Sequence, residues 1–410
     1  MPSRASKRQK LESDPAIDPK HAAFTDWARQ RDIEIDRVEP AALPGRGIGL
    51  MTTKKIKKDD QIIHVPAEAM IKPQTDLYKI ADDKTASISP QARLAATLMH
   101  MDSTKDDEYE TCSSVWPTSD DFESSLFWYS LTAHTASPPW YDSMPATLRT
   151  ASTRLMQDFR RDLLSVQELE HESFKNVTAQ SFVYFWTIAN TRSFAWKPHG
   201  RREGVMVMCP FLDYMNHCPS GEGCGVSMSE EGYTLTANRD YEIGEEILAT
   251  YGAHSNDKLL VHYGFTMPGS ADDSIQLDSI ILPSLNDAQK SDLENVGYLG
   301  NYSFFPSTEE ICFRTQVALR SKSMTSNEWE YFMNSGDDIG VDMDEEIKSD
   351  LATFIESTAY RRQLDLSSLQ LAADHASKPT FRAAMEQVIQ RAIQINSALA
   401  SFQTSHSSRQ

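Results

Sequence analysis

Strand character appears twice in this chain, at residues 46–66 and again at 205–265, and a long stretch of helical character lies between the two. In the first block Arg46-Gly47-Ile48-Gly49-Leu50 leads into Met51, and Gln61-Ile62-Ile63-His64-Val65 is closed by Pro66, which cannot donate to a ladder. Lys57-Lys58-Asp59-Asp60 is a polar turn between them. The second block contains Val205 to Met208, Tyr233 to Thr236 and Glu246 to Thr250, separated by Gly and Asp/Asn turns. The intervening 88–200 carries apolar residues at helical spacing (Leu94, Ala95, Leu98, Met99), then helix-like stretches at 150–172 and 178–192. The second of these, Ser181 to Asn190, is apolar nearly all round and is expected to be buried. From about 285 onward the pattern is helical again, with a stripe through Ala383, Met385, Val388, Ile389, Ala392, Ile393, Ile395, Leu399 and Phe402. Strands, a helical insertion, more strands and a helical C-terminal part define an α+β protein with separate layers. The remaining helix expected is a short one at His21 to Gln30, carrying Phe24 and Trp27.

The formal charge of −19 over 410 residues argues against general binding of nucleic acid, which needs clustered Lys and Arg. It fits a basic partner, although acidic totals are also common in plain enzymes. Asp102 to Glu123 concentrates acids against a single Lys105 and reads as a solvated loop or as a dock for a basic substrate. No apolar run approaches the ~20 residues that cross a bilayer, and Met1 to Lys20 lacks the apolar core of a signal peptide. Five cysteines, few and odd in number, point to free thiols in a reducing compartment, cytoplasmic or nuclear. Lys7-Arg8-Gln9-Lys10 reads either as an import patch or as part of a solvated, disordered terminus.

Two short stretches concentrate chemistry. Asp213-Tyr214-Met215-Asn216-His217 puts a carboxylate, an amide and an imidazole within five residues, and Glu245 to Thr250 is a strand-like run stopped by Tyr251-Gly252. Cys209, Cys218 and Cys224 flank His217, yet their spacing matches no usual zinc pair and no Cys-x-x-Cys occurs, so no metal is expected. A buried, hydrogen-bonded Asn-His pair is the plainer reading. Gly45-Arg46-Gly47-Ile48-Gly49 has the wrong spacing for a dinucleotide loop and suits a hairpin turn whose backbone a ligand can approach. Arg192, ending the apolar helix, is a permanent cation that requires a partner, a ligand carboxylate being one candidate.

Taken in order, Gly47-Ile48-Gly49, Asp213 to His217, Glu245 to Gly252 and Asn256 to Phe265 resemble the SET-domain protein methyltransferases. The helical insertion and helical C-terminal region are similar to the Rubisco large-subunit methyltransferase subgroup, and the likeness covers roughly 40–400. The resemblance implies a β-rich SET fold with a pseudo-knot joining 209–218 to 245–265, and a separate all-α C-terminal domain. The corresponding boundaries are a terminus at 1–20, a SET domain at 21–270 with its insertion at about 88–200, a substrate-binding domain at 271–402 and a polar tail at 403–410. It further implies S-adenosylmethionine as cofactor, held by Arg46, Gly47, Ile48, Arg192, Asp213, Asn216, His217, Tyr251, Tyr263, Gly264 and Phe265. Tyr251 matches the tyrosine at the methyl-transfer centre, and Phe194, Phe211, Tyr263 and Phe265 match the substrate channel. The implied activity is N-methylation of lysine in a non-histone protein by a monomer with no membrane contact. Histidine methylation by the same fold and a non-catalytic binding module are the rivals, and Arg192-Ser193-Phe194 resembles the lysine-directed members. Two departures stand out: no cysteine-rich segment follows Tyr251-Gly252, and Met228 lies near the point where a further channel tyrosine is common.

Overall fold

The computed structural model describes residues 17–78, 88–122, 125–128, 139–197, 204–335, 337, 340 and 343–406. The basic stretch at 7–10, Glu123 and the last four residues lie outside them. The chain divides into two compact units, Met1–Ser119 with Gln157–Ala253, and Asp120–Met156 with His254–Gln410.

The first unit opens with α1 (Pro19–Gln30), where the Asp18 carboxylate accepts from the Lys20 amide and Pro19 occupies the first turn. Four strands follow: β1 (Glu34–Ile35), β2 (Val38–Leu43), β3 (Gly47–Thr52) and β4 (Gln61–Pro66). β2 and β3 form a hairpin, with Leu43 opposite Gly47, and the Arg46 amide bonds to Leu43 O at 3.0 Å. Gly45 and Gly47 take φ of +69° and +71°, the left-handed region that a side chain strains. The sequence missed β2, because Pro40 and Glu39 dilute its apolar run. β3 and β4 are successive but do not pair with one another. β3 joins β2, while β4 joins β1.

Then come α2 (Pro90–Thr104), α3 (Ala146–Gln167), whose first turns belong to the second unit, and α4 (Ala179–Arg192). The acid-rich 102–123 stretch is not a loop as expected. Helices at Asp107–Ser113 and Ser119–Phe122 occupy much of it; in the first, Tyr109 and Cys112 stand three residues apart and are buried. α4 begins in a capping box between Thr178 and Ser181 and buries Phe182, Val183, Trp186 and Ile188, in line with its apolar sequence. The Trp186 indole donates to the buried Asp162 carboxylate at 2.9 Å.

After α4 the chain forms β5 (Ser193–Trp196) and β6 (Val205–Met208), a hairpin, then β7 (Asn216–His217), β8 (Gly225–Met228), β9 (Gly232–Thr236) and β10 (Glu246–Ala249). Two four-stranded sheets result, ordered β1-β4-β9-β8 and β2-β3-β10-β7. Each draws strands from both blocks of the sequence. β10 runs antiparallel to β3, Ile247 opposite Leu50, and parallel to β7, Ala249 opposite His217. The Cys218 amide extends that parallel contact by donating to Ala249 O at 3.1 Å.

The second unit holds α5 (Asn256–Tyr263), β11 (Ile275–Gln276), α6 (Asp287–Asn295), β12 (Ser303–Phe305) and β13 (Glu310–Ile311). It continues through α7 (Phe313–Ser323), α8 (Ser326–Ser335), α9 (Asp344–Asp374) and α10 (Pro379–His406). It is mostly helical, with a small sheet ordered β11-β12-β13 that strands of two or three residues are too short to signal by periodicity. α10 buries most of the expected stripe, but Ile393 is 40% exposed and Arg391 is fully enclosed. The helix also runs through the expected tail as far as His406.

Candidate active site

α4 ends at Arg192, where a cation is favoured by the helix C-terminus. Its Nη1 bonds to Asp213 Oδ2 at 3.0 Å and to Asp213 O at 3.3 Å. Asp213 lies in a short 3-10 turn, Leu212–Tyr214, and its side chain is 4% exposed. Burial pushes its carboxyl above the ordinary value, and Arg192 opposes that only in part. The turn is entered through Phe211 at φ +72°, a bulky residue in the positive region, which costs on the order of 1–3 kcal/mol. An aromatic cluster with α1 offsets that strain. The Phe211 ring is fully buried against Phe24 and edge-on to Tyr214, and the Tyr214 hydroxyl hydrogen-bonds His21 Nδ1 at 2.7 Å.

Beyond the turn, the Met215 carbonyl accepts a hydrogen bond from the Tyr251 hydroxyl at 2.6 Å. The Tyr251 amide donates to His217 Nδ1 at 3.0 Å, and the two rings lie 5.1 Å apart. Asn216 Nδ2 donates to Glu246 Oε1 at 2.9 Å, while Glu246 Oε2 pairs with Arg46 Nη1 at 2.6 Å. The Glu246 side chain is 8% exposed, and burial raises its carboxyl despite Asn216 and Arg46. The short segment 213–217 therefore carries three sets of contacts, Asp213 with Arg192, Met215 and His217 with Tyr251, and Asn216 with Glu246, which in turn pairs with Arg46. The register of β7 against β10 is what assembles them.

Glu246 was not anticipated. The repeated acid in Glu245-Glu246 is a weak signal, and only the sheet shows that one of the two points inward. Gly49 is equally close to the centre: a Cβ there would meet Leu43 Cδ1 at 2.5 Å, Asn216 Nδ2 at 2.7 Å and Glu246 Oε1 at 3.0 Å. Gly47 and Ile48 begin β3, and the space beside the Gly47 Cα is open.

The channel candidates fall into three settings. Phe194 on β5 is half-buried, its ring 5.4 Å from that of Tyr233 on β9, whose hydroxyl bonds the Ala195 carbonyl. Phe211 has no exposed ring area, and its contacts are those of a core residue. Tyr263, Gly264 and Phe265 belong to the second unit, where α5 stops at Gly264 with φ +79° and the Tyr263 and Phe265 rings sit 6.3 Å apart. Met228, on the exposed β8 strand, is 43% exposed and lies opposite Tyr233.

A family model described as SET domain matches residues 47–252, half of the chain, and the chain belongs to the SET-domain family. Among curated relatives, ribosomal lysine N-methyltransferase set11 of Schizosaccharomyces pombe is 27% identical over 195 residues, 47% of this chain and 49% of that protein. The chain thus spans about half the length of that relative. Actin-histidine N-methyltransferase of Canis lupus familiaris is 22% identical over 285 residues, 61% of this chain and 43% of that protein. Among solved structures, Rubisco LSMT bound to AdoMet superposes with a TM-score of 0.61 at 15% identity, covering 95% of this chain and 92% of that one. The α+β architecture and the resemblance to the Rubisco-type fold stand on these matches.

Proposed function

We propose that the chain is an S-adenosylmethionine-dependent protein methyltransferase whose target is a lysine in a non-histone protein. The observation that carries the reading is that the five residues 213–217 contact Arg192, Tyr251 and, through Glu246, Arg46, which brings the distant segments together.

The donor set suits the proposed cofactor. Its amino-acid end requires a cation for the carboxylate and an acceptor for the ammonium. Arg192 spends only Nη1 on Asp213 among the described residues, which leaves Nε and Nη2 as donors. Asn216 gives its Nδ2 to Glu246, so its Oδ1 is left as acceptor. Asp213 holds Arg192, and Glu246 holds Asn216 and Arg46. The open backbone at Gly47 allows close approach. When bound, the cofactor supplies a methyl group on a positively charged sulfur.

The protein's own task is then to present a neutral amine in line. A free lysine titrates near ~10.4, and aromatic walls such as Phe194 and Tyr233 disfavour the ammonium by desolvation. The Tyr251 hydroxyl commits its proton to Met215 O, so its oxygen remains a lone-pair acceptor able to hold a polarised methyl through CH···O contacts. Alignment at roughly 3 Å supplies most of the remaining effect.

A protein substrate with a basic segment fits the chain's charge of −19. Among the described residues no cysteine is in a disulfide, which supports a cytoplasmic or nuclear site of action. Histidine is the second reading, favoured by the actin-histidine relative. The test is transfer of radiolabelled methyl groups into extract from cells lacking this protein, with Tyr251→Phe as control and mass spectrometry of the labelled band. A labelled lysine that depends on Tyr251 is the expected result; a labelled histidine selects the second reading, and no labelling refutes both.

A further inference from the structure

The second unit contains a cavity of about 300 Å³ between α9, α10 and the 142–149 segment, and none of the residues assigned to methyl transfer lines it. Its size lies at the lower end of small-ligand pockets. Leu369, Ile395 and Leu399 form an apolar wall, each nearly or fully buried. The polar part includes Thr358, Arg362 and Asn396, together with Arg149, Arg361, Asp142 and Asp365.

Arg362 is the unusual member. Its Nε donates to Asn396 Oδ1 at 3.1 Å and its Nη1 to Ile355 O at 2.9 Å and to the Thr358 hydroxyl. All three acceptors are neutral. Among the described residues no carboxylate lies within ion-pair distance of it, although the chain carries 19 more acids than bases. The other two arginines of the lining are matched: Arg361 pairs with Asp365 at 3.1 Å and Arg149 with Asp142 at 4.0 Å. The cavity therefore holds one surplus cation, half-buried and held by neutral oxygens, facing an apolar wall. Burial also lowers the Arg362 guanidinium below its ordinary value, the direction expected when no anion compensates for desolvation.

We infer that this cavity binds a carboxylate carried on an apolar stem, with the carboxylate on Arg362 and the stem against Leu369, Ile395 and Leu399. The inference is independent of the methyltransferase reading. A free organic acid and a glutamate flanked by leucines in a polypeptide share this chemistry, and the experiment separates them.

Octanoate, octanamide and the peptide acetyl-Leu-Glu-Leu-amide are titrated calorimetrically into the full-length chain. Octanoate or the peptide is expected to bind saturably, and octanamide at least tenfold more weakly than octanoate. The tighter of the two carboxylates identifies the source. Arg362→Gln is expected to weaken binding at least tenfold, and Arg362→Lys to retain it within a few-fold. Should Arg362→Gln fail to fold, Ser279→Trp at the exposed rim blocks entry without touching the guanidinium and is expected to abolish binding. The inference is overturned if neither carboxylate binds, if octanamide binds as well as octanoate, or if binding survives the charge or rim substitution.

Discussion

The Tyr251 hydroxyl donates to Met215 O, so loss of that oxygen removes both a fixed acceptor and the tether that positions it. Tyr251→Phe keeps the ring beside His217 and keeps the backbone bond to His217 Nδ1. CH···O contacts are individually worth about 0.5–1 kcal/mol, and misalignment adds to that. The variant is expected to bind cofactor within a few-fold of wild type while kcat falls roughly 10- to 100-fold, read by calorimetry and single-turnover labelling; equal loss in both would make Tyr251 a binding residue only. Glu246 and Asp213 lead to a pH prediction. Both carboxyls are raised by burial, so the folded chain holds their protons more tightly than the unfolded chain. Stability then falls as pH rises from the ordinary carboxyl values, 3.8 and 4.5, through the raised ones, because over that interval the unfolded chain has already released its protons. Glu246→Gln is expected to flatten this slope when urea midpoints are compared across pH, and an unchanged slope would remove Glu246 as a contributor.

At the level of elements, β3 and β10 hold the site through one narrow contact. A methyl group at Gly49 would force Asn216 and Glu246 aside, and both are side-chain ends able to yield. Gly49→Ala is therefore expected to cost about 1–3 kcal/mol of stability and to weaken cofactor binding beyond what that loss explains, measured by denaturation and calorimetry on the same preparation. A variant with weakened folding and normal binding would show that Asn216 is not needed in its present place. α5 and α10 are joined differently. Arg391, fully buried, donates to Asp257 at 2.9 Å and to Asp273 at 2.8 and 3.0 Å. Arg391→Met would strand two buried carboxylates, at a cost of about 3–5 kcal/mol. Adding Asp257→Asn and Asp273→Asn should recover part of it in denaturation midpoints. The apolar stripe of α10 was legible from its spacing, whereas Arg391 within that stripe was not, because periodicity marks a face without saying which polar groups find partners there.

For the whole molecule, the proposal that this acidic chain acts on a basic segment predicts a dependence on ionic strength. Raising salt from about 50 to 200 mM shortens the screening length, and kcat/KM for the protein substrate is expected to fall several-fold with cofactor affinity unchanged; no dependence would leave the charge without a role in substrate capture. Order and type of elements were readable along the chain: strands, a helical insertion, strands, then helices, together with Asn216, His217 and Tyr251 as residues of interest. Local periodicity and turn chemistry act over a few residues, and these features are local. Pairing was decided elsewhere. That β3 pairs with β10 rather than β4, that β7 lies parallel to β10, and that Glu246 rather than Glu245 turns toward Asn216 depend on contacts between residues some 30 to 200 positions apart. The same holds for the helices within the acid-rich 102–123 stretch, the enclosure of Phe211 and the surplus cation at Arg362. A side chain's neighbours across a sheet or a helix pair are set by burial of the whole apolar surface at once, and only the folded chain carries that information.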